Sequence, residues 1–142
     1  MSKTFAVLLA VIFGGFLTLG LAEEFGPEAV LGTWLVATED AQVSIYKCQD
    51  KFCGKIVWLK TPEDLDTKNP DPAKRSEKIL GMDILWGFSF NKGQWVGGRI
   101  YDPDSGKTYR CKMWLKSATK LNLKGYVGIP LFGRSEIWTR VE

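Results

Sequence analysis

The sequence has no histidine. That absence removes Ser-His and Cys-His nucleophile pairs, and the usual zinc sites with imidazole ligands. No block of like charge stands out in a chain of net charge +3. A nucleic-acid binder needs a basic stripe, so no nucleic-acid partner is expected. After the first residues there is no further apolar run of spanning length, so no membrane span is expected beyond them. No long amphipathic helical pattern occurs either, which points away from helical and mixed folds. Nothing in the sequence calls for a cofactor or a metal.

What is present begins with an export signal. Lys3 precedes an apolar run from Phe5 to Leu21, and Gly20-Leu21-Ala22 places small residues where a signal peptidase cuts. Residues 1–22 are therefore read as a signal peptide and residues 23–142 as a single domain. An uncleaved anchor is the alternative, because the run approaches the lower spanning length. The protein is expected to be exported, to the periplasm or outside of a bacterium.

Alternation of apolar and polar residues then marks strand after strand. The readings are Leu31 to Thr38, Ala41 to Lys47, Phe52 to Leu59, Met82 to Phe90, Gln94 to Tyr101, Lys107 to Lys116, Lys120 to Val127 and Arg134 to Val141. In the fourth, Met82, Ile84, Trp86, Phe88 and Phe90 share one apolar face. Gly97-Gly98 in the fifth suggests a bulge. Asp102-Pro103-Asp104-Ser105-Gly106 is a tight turn. It starts like a calcium loop, but the twelfth position, where such a loop needs Glu, is Met113. Eight strands in series, mostly joined by short turns, tend to close into a barrel, because closure removes sticky edges. The fold class expected is all-β: an eight-stranded antiparallel meander closing into a barrel. A two-sheet sandwich is the alternative.

Residues 60–80 break the pattern. Pro62, Pro70 and Pro72 exclude a central strand. Thr61-Pro62 and Asp71-Pro72 each look like an N-cap followed by Pro at the first helical position, so short helical turns are expected. A connection of this length is either a lid or a solvated crossing.

Cys48 and Cys53 lie on the two arms of the first hairpin. If Cys48 stands opposite Cys53, then Val43, Ile45, Ile56 and Trp58 share one face and the thiols meet on the other. In an exported protein this favours a disulfide; a redox or metal site is disfavoured by the spacing and by the lack of further ligands. Cys111 is left over. It shares a strand face with Tyr109, Met113 and Leu115, and is read as a buried packing thiol, with an intermolecular disulfide as the alternative.

Gly32-Thr33-Trp34 near the start of the first strand, with Arg140 on the last, resembles the lipocalin and calycin barrels. A wider set of residues resembles the bacterial family called domain of unknown function 2147. The set runs through Ile45-Tyr46-Lys47-Cys48, Cys53-Gly54-Lys55-Ile56-Val57-Trp58-Leu59 and Asn69-Pro70-Asp71-Pro72 with Arg75. It continues through Trp95, Ile100-Tyr101-Asp102-Pro103, Gly106 and Tyr109 to Leu131-Phe132-Gly133-Arg134, Trp138 and Arg140. Cys111 is not a feature of that family. The resemblance implies an exported bacterial protein with a lipocalin-like barrel. It brings no activity with it.

Three functions compete. A binding protein would hold a small, largely apolar or amphipathic ligand in the barrel. Trp34 and Trp86 would wall its site, and Asn69, Arg75 and Arg134 would supply polar contacts. An interaction module of the envelope would use exposed aromatics instead. An enzyme would need carboxylates; Asp102 and Asp104 qualify only if a pocket separates their pKa values. No catalytic residue is assigned. The binding reading is preferred, with ligand and oligomeric state left open.

Overall fold

The computed structural model describes residues 24–142. The signal-peptide reading of residues 1–22 lies outside them. Eight strands form a closed barrel in chain order: β1 (Gly32–Leu35), β2 (Ala41–Cys48), β3 (Lys51–Leu59), β4 (Asp83–Asn91), β5 (Gln94–Asp102), β6 (Lys107–Ser117), β7 (Lys120–Tyr126) and β8 (Arg134–Arg140). Every neighbouring pair is antiparallel, and β8 closes on β1 through Trp34↔Arg140 and Leu35↔Thr139. The barrel, not the sandwich, is the architecture.

A meander sorts its connections onto two ends. The β1–β2, β3–β4, β5–β6 and β7–β8 connections share one end, here the open end. The β2–β3, β4–β5 and β6–β7 turns share the other, and there the chain entering the barrel forms a plug. A 3-10 turn at Pro27–Val30 brings buried Val30 beneath the barrel. Its carbonyls accept from two indoles, Val30 O from Trp34 Nε1 at 2.9 Å and Pro27 O from Trp95 Nε1 at 3.1 Å. The Arg140 guanidinium covers the Trp34 ring at 4.2 Å and donates to the carbonyls of Ala29, Leu31 and Ala118. Trp34, Trp95, Phe88, Met113 and Leu121 are fully buried in the core above.

The first hairpin departs from the expected register. Cys48 pairs with Lys51, Tyr46 with Cys53 and Val43 with Ile56. The offset is two residues, so the side chains from Val43 to Ile56 keep their expected faces. The cause is the turn. Gln49-Asp50 closes a two-residue loop, with Gln49 at φ 58°, whereas opposing the cysteines would need a four-residue one. The Cys48–Cys53 disulfide therefore bridges diagonally, Cα to Cα 6.0 Å. A bulge at Val57 then shifts the pairing to Gln42↔Trp58. This takes Trp58 off the inner face and leaves it exposed, while Leu59 packs on the core. The ring closed by the disulfide is small, so replacing both cysteines by serine is expected to cost only about 2 kcal/mol. Thermal unfolding of the double variant against the parent checks this.

β4 also breaks strict alternation. Ile84, Leu85 and Phe88 are all buried, while Trp86 is exposed. Gly87 takes φ 79° and Gly97 of β5 takes φ 73°, both between the pairs Trp86↔Arg99 and Ser89↔Val96. Only glycine adopts this backbone without strain. The pair of glycines flips the side-chain parity in mid-strand. The bulge expected at Gly97-Gly98 is present as a register shift between β5 and β6.

Candidate ligand cavity

A cavity of about 670 Å³ opens at the loop-rich end. That lies within the range of small-molecule sites, about 300–1,000 Å³. Ile56, Ile84, Ile100, Cys111, Leu123 and Trp138 give it an apolar floor and walls. These residues come from all six strands β3 to β8. Toward the mouth the lining turns polar. Asp40 comes from the β1–β2 connection, Asp64 from the long loop, Asp102 from the end of β5, Asp104 from the β5–β6 turn, and Arg134 and Glu136 from β8.

The mouth carboxylates differ in how they are held. Asp102 is occupied by its own turn, accepting from the Asp104 amide at 3.0 Å and from Ser105 Oγ at 2.8 Å. Asp64 accepts from Thr61 Oγ1, and Asp40 from Thr38 Oγ1. Glu136 is fixed by the indole of Trp138, Nε1 to Oε1 2.6 Å. Burial, and then the neighbouring carboxylates Asp102 and Asp40, raise the pKa of Asp104 above the usual aspartate value. Asp102 and Asp104 thus do share a pocket wall, but Asp102 is committed to turn hydrogen bonds.

At the floor, the Cys111 thiol is fully buried and unpaired. Burial, and secondarily the Glu136 charge, push its pKa up to about 12. The thiolate is the reactive form, so the folded protein is expected to resist iodoacetamide at pH 8. Unfolding without reductant should release one alkylatable thiol per chain, read by mass spectrometry. Rapid labelling of the folded protein would contradict this placement.

The long connection, residues 60–82, crosses the open end as an anchored strap. It folds back on itself through an isolated bridge between Leu65 and Lys78. Asp71 caps a 3-10 turn at Pro72–Lys74, as its Asp-Pro pattern predicts. Thr61-Pro62 forms a hydrogen-bonded turn rather than a helical one, with the Asp64 amide donating to Thr61 O. At the centre is Asp66, fully buried. Its carboxylate accepts from Tyr101 Oη at 2.7 Å and from Asn69 Nδ2 at 2.7 Å. Tyr101 belongs to β5 and lines the cavity, so this contact ties the strap to the barrel. Burial, then the hydrogen bond to Asp66, raise the Tyr101 pKa to about 12. A second tie is backbone against backbone. Gly106 sits at φ 71° against Lys68 O, where any Cβ would lie 1.9 Å from that oxygen.

Of the five side chains expected to contact a ligand, the structure brings only Arg134 to the cavity. Trp34 belongs to the plug at the opposite end, under Arg140. Trp86 lies outside the wall, turned out by the parity change at Gly87. Asn69 braces Asp66, and Arg75 donates to Asn69 O at 2.8 Å; both build the strap. No local pattern in the sequence marks Glu136, Trp138, Tyr101 or the mouth aspartates as ligand contacts. Trp138 and Glu136 were readable as inward positions of β8, since they share parity with Arg134 and Arg140.

A closed eight-stranded meander with a cavity at one end is a lipocalin-like barrel. One solved structure of this shape, "Protein HP1028 from the human pathogen Helicobacter pylori belongs to the lipocalin family", aligns with a TM-score of 0.72. The alignment covers 80% of this chain and 83% of that one, at 21% identity. No curated protein matches the chain. The chain belongs to the family described as "Uncharacterized protein conserved in bacteria (DUF2147)", whose sequence model matches residues 32–140.

Proposed function

We propose that this is an exported barrel that binds one small, largely apolar molecule. The observation that carries the reading is the cavity of about 670 Å³, apolar at its floor and polar at its mouth. Such a lining buries the body of a ligand and orients one end of it. Export is supported by the Lys3 to Ala22 signal pattern and by the Cys48–Cys53 disulfide, which forms in oxidising compartments.

A second reading, an envelope interaction module, draws on the β7–β8 connection. Val127, Ile129 and Leu131 stand exposed there beside the cavity mouth, Leu131 at 76%. Native mass spectrometry of the protein purified from its own envelope separates the two. A reproducible bound mass, recovered by organic extraction, supports the ligand reading. Protein that is consistently empty transfers the case to the interaction module.

A further inference from the structure

We infer that the ligand of this cavity carries a cationic head, making it an amine-bearing amphiphile rather than a fatty acid or a neutral lipid. The inference rests on the binding reading above and specifies its chemistry.

The chain as a whole has an excess of basic residues, at net +3. The cavity inverts that balance. Five carboxylates line it, those of Asp40, Asp64, Asp102, Asp104 and Glu136, against the single guanidinium of Arg134 and no lysine. They arrive from four separate segments of the chain, so no one turn's local capping needs account for their convergence. Among the described residues the ion pairs are Lys47–Glu28 and Lys78–Glu63, and neither involves a lining carboxylate. The carboxylates stand around an opening whose floor is apolar, which is the arrangement an amphiphile requires. A cleft lined by one sign of charge between low-dielectric walls focuses its field and concentrates the opposite ion.

The raised pKa of Asp104 has the same origin. Burial and the surrounding aspartates disfavour its charge, with only Lys68 opposing them. A cation seated there relieves that repulsion, whereas a carboxylate headgroup adds to it.

The test uses three ligands of one chain length: dodecylamine, dodecanol and dodecanoate. Each is titrated below its micelle concentration into the disulfide-bonded protein at pH 7, by calorimetry. The amine is protonated there and the acid ionised. The amine is expected to bind at least about tenfold more tightly than dodecanoate, with dodecanol between them, the scale expected of a few partly screened charge contacts. Raising the salt to about 0.5 M should shrink the amine's advantage and leave dodecanol unchanged. The Asp40→Asn/Asp104→Asn variant should weaken the amine alone, and its unchanged dodecanol affinity shows an intact cavity. Equal affinities, or a preference for dodecanoate seated on Arg134, overturn the cationic inference and leave the cavity reading standing. No binding of any of the three overturns both.

Discussion

Trp34→Ala is expected to lower the thermal midpoint of this barrel by on the order of 10–20 °C. The indole has no exposed surface, donates to Val30 O at 2.9 Å and lies 4.2 Å beneath the Arg140 guanidinium. Removing a buried aromatic of this size costs about 3–5 kcal/mol, as lost transfer energy and the cavity left behind. A whole domain has a stability of only about 5–15 kcal/mol. The loss also reaches beyond the ring. Arg140 donates to Ala29, Leu31 and Ala118 carbonyls, so the tryptophan is one face of a joint between the entering chain, β8 and the β6–β7 turn. β1 and β8 share only two residue pairs, so this joint carries much of the barrel's closure. Trp86→Ala is the control, because Trp86 is exposed on the outer wall and its removal should cost far less. Circular dichroism melts of the two variants give the comparison, and equal shifts would contradict the placement of Trp34 in the plug. Arg140→Lys should not rescue Arg140→Ala, since an ammonium lacks the planar fork that reaches three carbonyls.

The strands were legible because each obeys a local rule. Asn91-Lys92-Gly93, Asp102 to Gly106 and Ser117 to Thr119 signal their turns, and the segments between them alternate. A meander needs no long-range information to order its strands, so reading the turns is nearly reading the fold. What was not legible is where alternation lapses. Gly87 and Gly97 each adopt a positive φ, and whether a glycine in a strand does so depends on the strand across from it. Alternation alone therefore puts Trp86 on the inner face, where the structure does not. The two-residue offset of the first hairpin is a related case. Face patterning does not distinguish registers that differ by two, and the turn at Gln49-Asp50 decides between them. The cavity was legible as an expectation of the barrel class. Its chemistry was not, because Asp40, Asp64, Asp104 and Glu136 are distant in sequence and each looks like an ordinary surface acid. Asp66 is the extreme instance. Nothing near it separates it from the other acids of a polar loop, and the tyrosine that receives it lies 35 residues away.

That tyrosine carries the second large effect. Tyr101→Phe is expected to destabilise the protein by about 2–3 kcal/mol, because it removes a charge-assisted hydrogen bond and leaves a fully buried carboxylate with one fewer donor. The damage should be local first. Hydrogen exchange should rise at the strap amides of Asp66 and Ile79, which donate to Glu77 O and Asp64 O, while β6 and β7 amides stay protected. Asp66→Leu should cost less in the Tyr101→Phe background than in the parent, since the two residues serve one contact. The contact also has a defined pH limit. Tyr101 is raised from 10.0 to about 12 in the folded protein, so the fold holds the phenolic proton more tightly than the unfolded chain does. The stability it contributes is fully present below pH 10 and is lost as pH rises toward 12. The strap is expected to loosen over that window in the parent, with the Tyr101→Phe strap already loosened and lacking that component of the alkaline transition. Asp64, Thr61 and Ile79 of the strap line the cavity. Any molecule held there should therefore dissociate faster from Tyr101→Phe at neutral pH, measured by stopped-flow displacement. An unchanged dissociation rate alongside a loosened strap would show that the ligand leaves by another route through the open end.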